Sequence, residues 1–273
     1  MTRRCGFYWP ALALIVFCPV VRGGAIVNTS LRMTQLQILP ASGTLDILSG
    51  FNTTAFTSVY DSLGGSAQQF DSEFDTTASA SSATALAYAT GTASAPNLTA
   101  SATSGVNITG VAASAGTNAG APYGVLNFGA FEITDASGDQ NPVDATLNAF
   151  LSASQSLSTD PLGLEATSEV TFNLDLYDSD LNLVTSLFLD NPLAIGPGSS
   201  LSQSSTPELT IGTVAMMTNS DYYLYAEVDA ESSGLNSTPE PSYGVLTGAL
   251  ISLLIVIRAK RGHRPDCNDT RRG

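Results

Sequence analysis

Between positions 25 and 241 this chain has no histidine, cysteine or lysine, and Arg32 is its single cation. A Ser-His-Asp triad, a Cys-His pair, a His/Cys zinc site, a lysine Schiff base and a lysine-bearing phosphate loop are therefore all unavailable to that stretch. What remains is carboxylate chemistry. Two acids flanking a sugar linkage are the apparatus of a glycosidase, and Glu165, Glu169, Asp175 and Asp229 are the candidates. Acids a few residues apart are ordinary in an acidic chain, so the residues favour a non-enzymatic protein.

Two binding chemistries remain to be weighed. Asp178-Ser179-Asp180-Leu181-Asn182 places oxygen donors at alternating positions, as the first half of an EF-type calcium loop does. That loop needs glycine at its sixth position and glutamate at its twelfth, where this chain has Leu183 and Leu189. A hairpin turn is the better reading of Asp178, Asp180 and Asn182, with no cofactor required. Asp135-Ala136-Ser137-Gly138-Asp139 also reads as a turn. Tyr223 and Tyr225 alternate on one strand and form a candidate stacking surface for a glycan, although alternating tyrosines more often pack against neighbours.

The elements that must hold these residues show a period of two. Val143, Ala145, Leu147, Ala149, Leu151 and Ala153 alternate with polar or outward residues. So do Val170, Phe172, Leu174 and Leu176, and then Tyr222, Leu224, Ala226, Val228 and Ala230, with Tyr223, Tyr225, Glu227 and Asp229 on the opposite face. Such alternation predicts half-buried antiparallel strands. Further strands are expected at 30–39, 124–134, 181–189 and 209–217. Residues 76–120 are 35 of 45 Ala, Ser, Thr or Gly and carry no charge. They read either as a linker or as small-residue strands packed closely on a second sheet. The missing charge favours strands, because disordered segments usually carry a high net charge. The fold class expected is all-β, an antiparallel β-sandwich of jelly-roll-like layout spanning 26–236.

The ends differ in composition. Arg3 and Arg4 precede an apolar core at 11–17, and the small residues Gly23, Gly24 and Ala25 follow, the layout of a secretory signal peptide over 1–25. Cys5 and Cys18 fall inside it, while Cys267 falls in the tail, so no disulfide is expected in the body. Pro239-Glu240-Pro241 is followed by an uncharged run at 242–257 and then by Arg258, Lys260, Arg261 and Arg264. The prolines keep the Glu in an extended segment. The apolar run, about 24 Å long as a helix, reads as a short transmembrane helix, and the cations as a stop-transfer cluster heading a basic cytoplasmic tail at 258–273. His263 belongs to that cluster.

These residues, from about 237 to 264, resemble the PEP-CTERM sorting signal of Gram-negative bacteria. The resemblance implies recognition by an exosortase-type processing enzyme at Pro239, Glu240 and Pro241. It also implies export as an inner-membrane-anchored precursor, then placement at the cell surface or in the extracellular matrix, with extracellular polysaccharide as a partner. A plain single-pass anchor with a proline-containing linker is the alternative. A GPI signal is disfavoured, because its apolar tail would not precede basic residues.

Charge narrows the partners. The stretch 25–241 carries 22 Asp and Glu against Arg32 alone, a net charge near −21. It has almost no cations to displace phosphate counterions, so nucleic acid is excluded as a partner. Asn-X-Ser/Thr triplets at Asn28, Asn52, Asn97, Asn107, Asn236 and Asn268 read as by-products of high Asn, Ser and Thr content. The function expected is a non-enzymatic exported surface or matrix protein. The alternative is a carbohydrate-binding surface module.

Overall fold

The computed structural model describes residues 23–235 apart from 49, 96–97, 110–111, 121–128 and 164. The signal segment through residue 22, the Pro239-Glu240-Pro241 triplet, the expected helix at 242–257 and the basic cluster lie outside the described residues. So does the first part of the strand expected at 124–134. Among the described residues no helix is long and apolar enough to cross a membrane.

The described residues form β1 (Gly24–Pro40), β2 (Thr44–Ile47), β3 (Asn52–Asp61), β4 (Ser66–Phe74), β5 (Thr77–Ala83), β6 (Ala87–Ser94), β7 (Thr99–Thr109) and β8 (Ala113–Gly120). They continue with β9 (Gly129–Thr134), β10 (Pro142–Thr159), β11 (Glu165–Tyr177), β12 (Leu183–Ile195), β13 (Ser200–Ser205), β14 (Glu208–Met217) and β15 (Asp221–Leu235). Two sheets result, ordered β13-β10-β1-β7-β6-β5 and β12-β11-β15-β8-β3-β4. In the first, β14 continues along β10 beyond β13. In the second, β9 pairs with β15 and carries β2 on its other side. The pairings are antiparallel, and the inner faces of the two sheets pack on each other.

Alternation sets which side chains enter that interface. Along β10 the inward set runs from Val143 through Leu157, and along β11 from Ala166 through Leu176. β1 changes phase part-way: Leu31 and Met33 face inward, then Leu36 and Ile38. A β-bulge at Thr34 inserts the extra residue that this shift requires, and the Thr34 hydroxyl donates to the Phe150 carbonyl at 3.1 Å. β1 begins at Gly24, and Ala25 is buried and paired with Thr159 and Ile108, so the sandwich reaches back into the expected signal segment.

The Ala/Ser/Thr/Gly-rich part forms β5 to β8. Its inward residues are mostly alanines, among them Ala78, Ala80, Ala89, Ala93, Ala102 and Ala115. Small side chains let the sheets approach closely here, while Phe131, Phe172, Leu147 and Leu174 fill the wider core at the other side. A belt of buried hydroxyls lies between the sheets. Thr29 bonds Ser168 at 2.6 Å and Ser232 at 2.7 Å, and Ser232 bonds Ser104 at 2.9 Å. One sheet supplies Thr29 and Ser104, the other Ser168 and Ser232, so the belt ties the layers and fixes their register.

The β5 edge is closed. Asp71 Oδ2 accepts the Ser79 N–H at 2.7 Å, and Gln69 Oε1 accepts the Ser81 N–H at 2.8 Å, both from neighbouring β4. Backbone donors that would template another strand are thereby occupied.

Candidate functional site

β11 and β15 pair without a register shift, so their outward residues meet in rows. Glu169 lies opposite Glu231, Thr171 opposite Asp229, Asn173 opposite Glu227, Asp175 opposite Tyr225, and Tyr177 opposite Tyr223. β12 extends the rows: Asp190 pairs with Thr171, Phe188 with Asn173, and Ser186 with Asp175. Six carboxylates therefore share one outer face of three adjacent strands, and Arg32 belongs to the other sheet. Like charges directly opposite, as at Glu169 and Glu231, are destabilising. Selection for folding alone does not call for this arrangement.

Hydrogen bonds relieve part of the charge. The Tyr225 hydroxyl donates to Glu227 Oε2. Asp175 Oδ2 accepts from Asn173 Nδ2 at 3.1 Å and from the Tyr177 hydroxyl at 3.4 Å. The Thr171 hydroxyl reaches Asp229 Oδ2 at 3.5 Å. Glu227 is only 7% exposed.

The electrostatics follow from this packing. Asp229 is pushed up to about 7, first by burial and then by Glu227 and Glu231 beside it. Burial, opposed by the Tyr225 hydrogen bond, also raises Glu227, and Asp175 adds to the rise. Glu169 is raised by burial, then by Asp190 and Glu231. Tyr177 is raised by burial and by Asp175. Together they make a surface that accepts hydrogen bonds and attracts positive charge, with one carboxylate poised to titrate near neutrality.

The face is grooved. An open depression lies over Thr171, Asn173, Asp175, Phe188, Glu227 and Asp229. Phe188 borders it and is 62% exposed. A second depression on the same sheet reaches Glu169 and Glu231.

Of the residues singled out from sequence, Glu169, Asp175, Asp229, Tyr223 and Tyr225 come together on this face. Glu165 stands at the far end of β11, opposite Leu235. Asp178, Asp180 and Asn182 form the β11–β12 hairpin. There Asp178 Oδ1 accepts the N–H groups of Asp180 and Asn182, both at 2.9 Å, and Oδ2 accepts Asn182 Nδ2 at 3.1 Å. Those bonds hold the Asp178 carboxyl below its ordinary value. Leu181 takes a positive φ of 63° to close the turn. Asp135 is similarly committed. It accepts from the Ser137 N–H and hydroxyl, Asn141, Thr218 and Asn219, which ties the β9–β10 loop to the β14–β15 turn. Among the described residues no group of three metal-ligating side chains is placed to hold one ion.

Glu227 and Glu231 were not among the catalytic candidates, although their alternation with Asp229 is visible in the sequence. Asp190 and Phe188 join only through the pairing of β12 with β11, which carries no local signal. Comparison with protein-family models, curated proteins and solved structures found no match.

Proposed function

We propose that this chain is a non-enzymatic exported surface or extracellular-matrix protein. In this reading an N-terminal signal peptide, cleaved so that Gly24 and Ala25 stay in the mature chain, directs export of a jelly-roll-like sandwich. A membrane helix at 242–257 then holds the precursor until an exosortase-type enzyme acts at Pro239, Glu240 and Pro241. The observation that carries it is the order of that triplet, the apolar run, and Arg258, Lys260, Arg261 and Arg264, directly after a body whose single cation is Arg32. The absence of His, Cys and Lys from the body supports a structural rather than a catalytic role. Fractionating cells that carry Glu240→Ala tests the reading. Unprocessed precursor should build up in the membrane, whereas normal release would remove the triplet's role.

A second reading, a carbohydrate-binding surface module, is favoured by one observation. The outer face of β11, β12 and β15 combines exposed Phe188 and half-buried tyrosines with carboxylate acceptors over an open groove. Aromatic faces stack on sugar rings while carboxylates accept hydrogen bonds from their hydroxyls. The two readings are compatible, because a matrix protein needs something to hold.

A further inference from the structure

We infer that the outer face of β11, β12 and β15 binds a cationic, amino-sugar-bearing polysaccharide, an inference that rests on the carbohydrate-binding reading. The argument is charge complementarity on a rigid surface. Asp175, Glu227, Asp229, Glu169 and Glu231 present a row of carboxyl groups, and among the described residues no cation stands on their face. A polymer of uronates or phosphosugars would meet like charge at every row and be repelled. A neutral glycan would supply hydroxyl donors but leave the repulsion of Glu231 on Glu169 and of Glu227 on Asp229 unrelieved. Ammonium groups on sugar rings meet both needs.

The geometry distinguishes such a polymer from the other cationic ligands. Outward residues on one strand repeat about every 6–7 Å, and neighbouring strands lie about 4.8 Å apart. The acceptors are thus spread as a grid, and among the described residues no three gather around a point where a single metal ion would sit. A flexible basic peptide could satisfy the charges, but it would lose more conformational freedom on a rigid sheet than a stiff pyranose chain. Phe188 stands exposed on the groove wall, where the apolar face of a sugar ring can cover it.

The test is calorimetry on the chain as recovered from its host, titrated with a β-linked glucosamine hexamer. Controls are the fully N-acetylated hexamer, a polygalacturonate oligomer and a lysine hexamer. The glucosamine hexamer should bind at least about tenfold tighter than any control, and more weakly as salt is added. Glu169→Gln with Glu231→Gln should weaken that binding while the melting temperature does not fall. Phe188→Ala should weaken it for the sugar polymer but not for residual lysine-hexamer binding. Equal affinity for the acetylated and free-amine hexamers overturns the cationic class and leaves the saccharide reading standing. Lysine-hexamer binding as tight as glucosamine binding, with no effect of Phe188→Ala, makes the face a surface for basic polypeptides and overturns the inference. Binding of none of the sugar polymers overturns both.

Discussion

The hydroxyl of Tyr225 donates to the carboxylate of Glu227 two residues further along β15, and Glu227 is otherwise among the least exposed acids of the fold. Both residues point outward in sequence terms, yet Glu227 is buried on the strand between β11 and β8, opposite Asn173. Removing the donor leaves a buried charge without its partner. Tyr225→Phe should cost about 1–2 kcal/mol at pH 8. The cost should shrink at pH 5, where Glu227 is more readily protonated. Urea unfolding of the variant at the two pH values checks this.

The same face predicts how stability depends on pH. Asp229, raised to about 7, and Glu227 and Glu169, also raised, bind protons more tightly in the folded chain than in the unfolded one, where carboxylates titrate near 4. Stability from these groups is therefore full at about pH 4 and is lost as pH rises to about 7. Asp61, Asp135 and Asp178 act in the opposite sense. Hydrogen bonds lower their pKa values, so their contribution is present above about pH 4 and lost in stronger acid. The optimum should fall near pH 4, where both contributions are present. Asp229→Asn should flatten the decline from pH 5 to 8 and add about 1–2 kcal/mol at pH 8, after allowing for screening. Thermal melts across pH, wild type against variant, measure both.

Between the sheets, Thr29 is the shared partner of Ser168 and Ser232. Thr29→Val should cost about 2–3 kcal/mol, because it strands hydroxyls already removed from water. Replacing the belt together, with Thr29→Val, Ser104→Ala, Ser168→Ala and Ser232→Ala, should recover most of that loss. Denaturant midpoints for the single and combined variants decide it. A combined variant much worse than Thr29→Val would mean the belt does more than satisfy itself.

At the β5 edge, Asp71 and Gln69 occupy the N–H groups of Ser79 and Ser81. Asp71→Ala with Gln69→Ala should expose a strand of small, uncharged residues and promote edge pairing. Sedimentation should then show concentration-dependent association beyond that of the parent chain.

Much of the architecture was legible because half-buried strands write their burial into every second residue, as β10, β11 and β15 do. The alanines of β5 to β8 follow the same rule with less volume. Their identity as strands rested on the missing charge and their close packing on a second sheet on their small side chains; which strands they pair with was not readable. The β1 bulge is present in the sequence as a phase change between Met33 and Leu36. Its cause became plain only with the partner strand. Cross-strand relations remained hidden, because register is set by pairings far apart in sequence. For that reason Asp229 was picked out singly, while the Glu169–Glu231 row and the place of Phe188 were not. The start of β1 at Gly24 also bears on export: Ala25 is buried, so cleavage that keeps Gly24 in the mature chain preserves the strand.

The central claim, an exported chain processed at its proline-flanked triplet, is tested most directly by intact mass and terminal peptide mapping of the protein recovered from its host. The account predicts a mature chain that begins near Gly24, ends close to Pro239-Glu240-Pro241, and lacks Arg258 through Arg264. A recovered chain that still contains residues 242–264 would contradict it and leave a plain membrane anchor.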